Sequence, residues 1–353
     1  SVAATAIIGG ILSLFVIFIG AVGLYPLLQF LGTPSAIVSQ SYLYIATIVN
    51  GVAVTFAYNL CAGLLRAVGD SLAALYFLII AAILNILLDL YFITQLHLGV
   101  QSAGIATIIA QGISALLCLL YIRKKVPFLL PHRKDFVWDK ELYQDLLSQG
   151  LAMGLMTSIV SIGTVILQSA INQLGTTIIS AQVAARRIMS FAVLPITAIA
   201  SSITTFISQN FGAEQFQRIK KGVTIANLLS WVWSVLVAAL LFFTSPSLTS
   251  FISGSTNPDL IANASLYLQI SSCFYPILAS LIILRNALQG MGKKLTPLTS
   301  SFIELFGKIF FVLWIIPHTG YMGVILCEPL IWIPMTLQLI IIYRKIRYQL
   351  LTE

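Results

Sequence analysis

Long apolar stretches, separated by short polar connectors, recur from one end of the chain to the other. A helix needs about 20 apolar residues to cross a hydrocarbon layer about 30 Å thick. Proline, glycine and clusters of charge mark the ends of the stretches. The pattern predicts about ten membrane-spanning helices, at residues 3–31, 36–64, 71–95, 100–122, 142–173, 176–210, 217–244, 259–289, 294–317 and 321–343.

The composition excludes a soluble enzyme. Of the 353 residues, 59% are hydrophobic and 8% are charged, and the mean hydropathy is +0.99, whereas an average soluble domain has about 25% charged residues. The four cysteines lie in apolar stretches without CxxC spacing, so neither a disulfide framework nor a zinc site is expected. An enzyme within the membrane would need convergent catalytic groups, and the spans offer no such set. We therefore predict a membrane protein that is not an enzyme, with no catalytic residues and no cofactor.

Most of the basic residues behind the net charge of +8 lie in the connectors, so they indicate how the chain is oriented in the membrane. All but three of the 19 Lys and Arg residues lie in alternate connectors or in the carboxyl-terminal tail, while the opposite connectors hold none. One of the basic connectors is assigned Arg285, Lys293 and Lys294. By the positive-inside rule the basic connectors are cytoplasmic. The rule predicts a multi-pass protein of the cell membrane with a cytoplasmic carboxyl terminus, and no nucleic-acid partner.

An internal repeat divides the chain. At an offset of about 223 residues, Leu43-Tyr44 aligns with Leu266-Tyr267 and the turn at Gly69 aligns with the turn at Gly292. Because the matching connectors share the cytoplasmic side, the halves are parallel repeats with an even number of spans each. The repeat predicts three regions, an amino-terminal lobe at 1–122, a cytoplasmic linker at 123–141 and a carboxyl-terminal lobe at 142–346. It also predicts two helices before Ser1.

Several motifs carry a resemblance to a known family. The second cytoplasmic turn reads Gly63-Leu64-Leu65-Arg66-Ala67-Val68-Gly69-Asp70-Ser71, and Asn85-Ile86-Leu87-Leu88-Asp89-Leu90 and Gly104-Ile105-Ala106-Thr107 follow it. The second half carries Arg285-Asn286-Ala287-Leu288-Gln289-Gly290-Met291-Gly292 and Glu328-Pro329-Leu330-Ile331-Trp332. In this order and spacing the motifs resemble the MATE (multidrug and toxic compound extrusion) family, which belongs to the multidrug/oligosaccharidyl-lipid/polysaccharide flippase superfamily.

The resemblance implies both a fold and a function. The fold would be all-α, with two lobes of six helices each, of which this chain holds the third to the twelfth helix. The function would be multidrug efflux, in which a monomer in the lipid bilayer expels organic cations or drugs by alternating access, driven by inward movement of Na⁺ or H⁺. The family's cation site implies binding roles for Asn85, Asp89, Thr107 and Tyr44.

The same residues support a cation site on physical grounds. Asn85 and Asp89 are four positions apart, so they share one helical face. A lone carboxylate within the membrane costs several kcal/mol unless it is protonated, paired or coordinating a cation. Oxygen ligands from Asp89, Asn85 and Thr107 suit Na⁺, and a protonated carboxyl group would instead carry H⁺. Two alternatives stay open, in which Asp89 only joins helices by hydrogen bonds and Tyr44 belongs to the aromatic belt at the interface.

Four charged residues in the second half are candidates for coupling or substrate binding. Glu304 and Lys308 have the i, i+4 order that favours an ion pair, either as simple neutralisation or as competition with a proton or drug. Glu328 precedes Pro329 in the last span. Arg186, next to Arg187, would pair with acidic groups or indicate substrates that are not purely cationic.

Gln168 and Asn172 are polar residues four positions apart on the first helix of the second half. They are candidates for lining a cavity, or for hydrogen bonding between helices. The nearest rival function is a flippase for lipid-linked oligosaccharides or polysaccharides, because Arg186, Arg187 and Lys308 would suit a pyrophosphate group.

Overall fold

The computed structural model describes residues 2–30, 35–96, 99–132, 134, 136 and 139–352. Helices form all of the regular secondary structure in these residues. In chain order they are α1 (Val2–Phe30), α2 (Ser35–Asn50), α3 (Val52–Ala67), α4 (Ser71–Thr94), α5 (Gln101–Lys125), α6 (Lys140–Asn172), α7 (Thr176–Gly212), α8 (Phe216–Ser253), α9 (Pro258–Cys273), α10 (Tyr275–Gly290), α11 (Leu295–Phe310), α12 (Ile316–Thr319) and α13 (Tyr321–Thr352). A 3₁₀ turn, Pro127–Leu129, follows α5, and a π-helix, Phe311–Ile315, joins α11 to α12.

The helices confirm the predicted fold class and the predicted number of spans. Among the described residues, eight helical segments are long and apolar enough to cross a membrane. Two bent pairs, α2 with α3 and α9 with α10, raise the number to ten if each pair is one span. The bends are 44° and 58°. The connector at 31–34 and residues 97 and 98 lie outside the described residues.

The two bends occupy matching positions of the internal repeat. The first break falls at Gly51 and the second at Phe274, which are separated by the offset seen in the sequence. At each break the N–H group three residues later donates to the carbonyl of the break residue, at 3.0 Å. Pro276 lies just past the second break and has no N–H group to continue the helix. Gly51 packs so closely on Ile108 of α5 that a Cβ atom would overlap that side chain.

Matching turns connect α3 to α4 in the first half and α10 to α11 in the second half. Gly69 and Gly292 both have positive φ, +89° and +72°. In each turn the N–H group of the residue after the glycine donates to the carbonyl five residues earlier, at 2.9 Å. This is the Schellman arrangement that ends a helix at a left-handed residue. The local structure therefore confirms the repeat that the sequence predicts at these turns.

The packing of α8 is typical of a membrane protein. Ser230 and Ser234 are fully buried, whereas Leu236 and Phe243 are 60% and 80% exposed. Small residues at helix contacts let backbones approach closely, and large apolar side chains face the lipid tails.

The chain divides into two compact units, Ser1–Leu147 and Ser148–Glu353. The core of the first includes Cys61, Leu65 and Ile122 around α3 and α5, and the larger core of the second includes Tyr267 and Tyr275. The predicted lobe boundaries remain predictions. Within the predicted linker, residues 133, 135, 137 and 138 lie outside the described residues.

Candidate functional site

The first candidate site lies between α4 and α5 of the first unit. The Asn85 side-chain amide donates from Nδ2 to the Thr107 hydroxyl oxygen at 3.2 Å. The Thr107 hydroxyl in turn donates to the backbone carbonyl of Ala103 at 2.8 Å. The Thr107 hydroxyl has one proton and uses it in this bond, so it can only accept from Asn85. The nitrogen of the Asn85 amide, and not its oxygen, must therefore face Thr107. The Asn85 carbonyl oxygen therefore keeps its acceptor capacity.

Asp89 lies one turn beyond Asn85 on α4. Its Oδ1 atom is buried and has no hydrogen-bond partner among the described residues. A buried carboxylate oxygen without a donor is costly, because that atom has lost its contact with water and gained no hydrogen bond in exchange. Asp89 therefore lacks the hydrogen bonds that a purely structural aspartate would be expected to make.

Tyr44 lies on α2, which packs against α5. A Cβ atom at Gly104 would lie 3.2 Å from the Cγ2 atom of Thr47, so Gly104 permits the close approach of the two helices one turn before Thr107. The half-buried Tyr44 makes no hydrogen bond to Asn85, Asp89 or Thr107. Its role in cation binding remains a prediction.

The second candidate site is a network of charges inside the second unit. Lys308 on α11 is nearly buried, with 2% of its side chain exposed. Its Nζ atom lies 2.9 Å from Oε1 of Glu304 and 3.3 Å from Oε1 of Glu328 on α13. The Glu304–Lys308 pair that the spacing predicts is therefore present, and Lys308 also binds a carboxylate from another helix.

Glu328 is shared by groups from three other helices. Nη2 of Arg186, on α7, lies 3.2 Å from the same Oε1 atom that Lys308 contacts. The Tyr267 hydroxyl, on α9, donates to Oε2 at 3.4 Å. Arg187 is exposed and makes no ion pair or hydrogen bond to the described residues. Of the two adjacent arginines, Arg186 alone joins the network.

Two local features make room for Lys308. A Cβ atom at Gly163 of α6 would lie 3.0 Å from Cδ of Lys308, so glycine leaves space for the lysine stem. The π-helix begins one turn after Lys308, and π-helical turns are frequent at functional sites.

The network opens into a cavity of about 490 Å³. Its charged lining consists of Arg186, Arg285, Glu304, Lys308 and Glu328. Arg285 corrects a sequence-based assignment, because it lies inside α10 and lines this cavity, whereas the charge pattern placed it with a cytoplasmic connector. The signal that pointed to its position was the predicted span at 259–289, which contains Arg285.

Gln168 and Asn172 pair with each other. Gln168 Nε2 donates to Oδ1 of Asn172 at 2.9 Å along α6. They lie one and two turns beyond Thr164, which lines the cavity, and neither lines it with Thr164. Their role in substrate binding remains a prediction.

Neither site resembles a cluster for a transition metal. In the part of the chain that the structure describes, no group of three or more His, Cys, Asp or Glu side chains could hold a metal ion. The predicted cation site of Asp89, Asn85 and Thr107 would supply one carboxylate and two neutral oxygens, which suit Na⁺ or a proton, and its role in ion binding remains a prediction.

Comparisons with known proteins agree with these features. The MatE family model matches residues 1–91 and 152–314. The probable multidrug resistance protein YpnP of Bacillus subtilis is 29% identical over 281 residues, which are 79% of this chain and 62% of that protein. The FAD transporter of Shewanella oneidensis is 27% identical over 252 residues, 68% of this chain and 54% of that protein. The chain thus spans less than two thirds of the length of either relative.

A solved structure shows the same fold. The crystal structure of MATE in the straight conformation superposes with a TM-score of 0.91 at 20% identity, covering 100% of this chain and 79% of that one. The family model matches more than half of the chain. The all-helical fold agrees with that match. The chain belongs to the MatE family of membrane transporters.

Proposed function

We propose that the protein exports organic cations and drugs across the cell membrane by antiport, in exchange for Na⁺ or H⁺ that moves inward. The observation that carries this proposal is the buried, unpartnered carboxylate oxygen of Asp89, next to the Asn85–Thr107 pair. The names of relatives such as YpnP support the drug class of substrate.

The site offers oxygen acceptors and one negative charge, which favours a cation. Thr107 offers lone pairs, Asn85 offers a carbonyl oxygen, and Asp89 offers a negative charge. A Na⁺ ion would bind all three, and a proton would bind Asp89 alone. In either case the ion removes the cost of a charge within the membrane. The state of the transporter in which the site is formed is then favoured by ion binding.

Organic cations would respond to the same charge. When the ion leaves Asp89, the carboxylate becomes an acceptor for a positively charged substrate, and when the ion returns it displaces the substrate. This exchange couples the two movements without any covalent step. The protein would act as a monomer in the lipid bilayer, with the carboxyl terminus in the cytoplasm as the basic connectors predict.

The test is ethidium efflux from cells or vesicles that contain the protein, under Na⁺ and H⁺ gradients imposed separately. We expect efflux to follow one of the two gradients and to be lost in Asp89→Asn. Asp259→Asn is the matched control, because Asp259 is exposed in the first turn of α9 and its substitution should leave efflux unchanged. Equal efflux by the Asp89 variant and the native protein would refute the coupling role.

A second candidate function is supported by the cavity of the second unit. Its three basic side chains, Arg186, Arg285 and Lys308, would suit the pyrophosphate of a lipid-linked oligosaccharide. If the correctly inserted protein shows no gradient-dependent ethidium efflux, a flippase for such lipids becomes the preferred function.

A further inference from the structure

The cavity of the second unit has an uneven balance of charge. Three basic and two acidic side chains line it, which leaves one positive charge when all five are ionised. A net charge inside a membrane protein is costly unless a counter-charge reaches it. The position of the excess charge therefore indicates what the cavity binds.

Both carboxylates already have partners. Glu304 and Glu328 share Lys308 between them, and Glu328 also pairs with Arg186. The excess charge therefore lies on Arg285, which makes no ion pair with the described residues and whose two hydrogen bonds both go to Ser300.

Arg285 is held in place by a neutral group. Its Nε and Nη2 atoms donate to the Ser300 hydroxyl oxygen at 3.2 and 2.8 Å. Ser300 in turn donates to the carbonyl of Pro297 at 2.6 Å. The guanidinium has five N–H groups, so this anchor fixes its orientation and leaves the others for a ligand. A fixed guanidinium is suited to bind a carboxylate or phosphate through two parallel hydrogen bonds.

Arg186 supplies further donors to the same cavity. It is the most exposed of the four network side chains, at 31%. Its Nε atom is buried and has no partner in the described part of the chain. Arg186 and Arg285 line the same cavity but are held by different partners, Glu328 and Ser300.

The rest of the wall is apolar. Met189, Leu194, Trp332 and Met335 are among the lining residues, and they would pack on the hydrophobic body of a ligand. The volume of about 490 Å³ falls within the range of about 300 to 1,000 Å³ that is usual for small-molecule sites.

We infer that this cavity binds an amphipathic organic anion, with Arg285 as the ligand of its carboxylate or phosphate group and the body of the anion on the apolar wall. The inference rests on the proposed function in one respect, since it adds a substrate class to the same transporter. Zwitterionic substrates would present their anionic group here.

The test is equilibrium binding of two flavins to the purified full chain in detergent, measured by fluorescence polarisation. FMN and riboflavin share one ring system and differ in a phosphate group. We expect FMN to bind at least tenfold more tightly than riboflavin. Arg285→Gln should weaken FMN binding at least tenfold, and Arg285→Lys, which keeps the charge without the planar fork, should weaken it less.

Arg187→Gln is the matched control, because Arg187 neighbours Arg186 but does not line the cavity. It should bind FMN like the native chain. Equal binding of FMN and riboflavin, or unchanged FMN binding in both Arg285 variants, would overturn the inference. If Arg285→Gln does not fold, as judged by size-exclusion chromatography, Arg285→Lys provides the test, and FMN binding by Arg285→Lys as tight as by the native chain would then overturn the inference.

Competition by lipid identifies the source of the anion. Displacement of FMN by phosphatidylglycerol, but not by phosphatidylcholine, would support the site and assign it to an anionic lipid. Absence of displacement by either would support it as a site for soluble anions. Binding is measured without any gradient, so a failure of ethidium efflux would refute the antiport proposal and leave this one standing.

Discussion

Lys308 and Glu328 lie on different helices of the second unit, with the Nζ atom of the lysine 3.3 Å from Oε1 of the glutamate. Lys308→Met would leave Glu304 without its ion pair while Glu328 keeps Arg186. Removing one partner of a buried pair costs about 3–5 kcal/mol, so we expect a lower thermal midpoint in detergent. Adding Glu304→Gln to Lys308→Met should recover part of the lost stability, because positions 304 and 308 are then both neutral. A midpoint unchanged in Lys308→Met would contradict the importance of the network for stability.

Gly290 permits the contact between α7 and α10. A Cβ atom there would lie 2.8 Å from the backbone carbonyl oxygen of Thr204, which has little freedom to move. We expect Gly290→Ala to destabilise the second unit by about 1–3 kcal/mol. Gly154→Ala is the control, since a Cβ atom at Gly154 meets nothing within 4 Å. Thermal unfolding of both variants tests this, and equal midpoints would show that the crossing tolerates the methyl group.

The glycines of the matching turns should be equally sensitive. Gly69 and Gly292 both have positive φ and open space around them, so alanine would be strained by its backbone alone. The left-handed conformation costs about 1–2 kcal/mol for a residue with a side chain. We therefore expect Gly69→Ala and Gly292→Ala to lower the thermal midpoint by similar amounts. A large loss from only one of them would show that the two turns are not energetically equivalent.

Ion binding should stabilise the native protein. A ligand that binds the folded state raises stability as its concentration increases, so the thermal midpoint should rise with the concentration of the coupling ion, which is Na⁺ at constant ionic strength or H⁺. Thr107→Val removes one oxygen ligand and should weaken the response, and Asp89→Asn should abolish it. Thr94→Val is the control, because among the described residues the Thr94 hydroxyl bonds to the carbonyl of Leu90 alone. A full response in Asp89→Asn would place the ion elsewhere.

Much of the fold follows from the sequence because membrane spans depend on local composition. The ten spans and the turns at Gly69 and Gly292 could be read from apolar runs, punctuation and the offset between the halves. The Glu304–Lys308 pair is also local, because one helical turn joins its members. The break at Gly51 was not predicted, since Asn50 and Gly51 lie within a long apolar stretch and carry no charge. The break at Phe274 lies two residues before Pro276, whose missing N–H group is a local signal for a kink.

The contacts of the charge network that join different helices are between residues far apart in the sequence. Arg186 and Glu328 are 142 positions apart, and the sequence showed only that each needed a partner. Arg285 was misplaced because a charge near a helix end looks the same whether it faces the cytoplasm or the protein interior. Its bonds to Ser300 depend on how α10 and α11 pack, which no local pattern specifies. The position of Tyr44 relative to Asp89 depends in the same way on the packing of α2 against α5.

The most direct measurement of the central claim is counterflow in vesicles that contain the protein, loaded with ethidium and given no ion gradient. Coupling between two ligands is reciprocal, so the outward ethidium gradient should drive the coupling ion inward, seen as entry of radioactive Na⁺ or as acidification of the interior. Asp89→Asn should abolish this entry and Asp259→Asn should preserve it. Ethidium that leaves the vesicles through the native protein without entry of either ion would contradict antiport at Asp89.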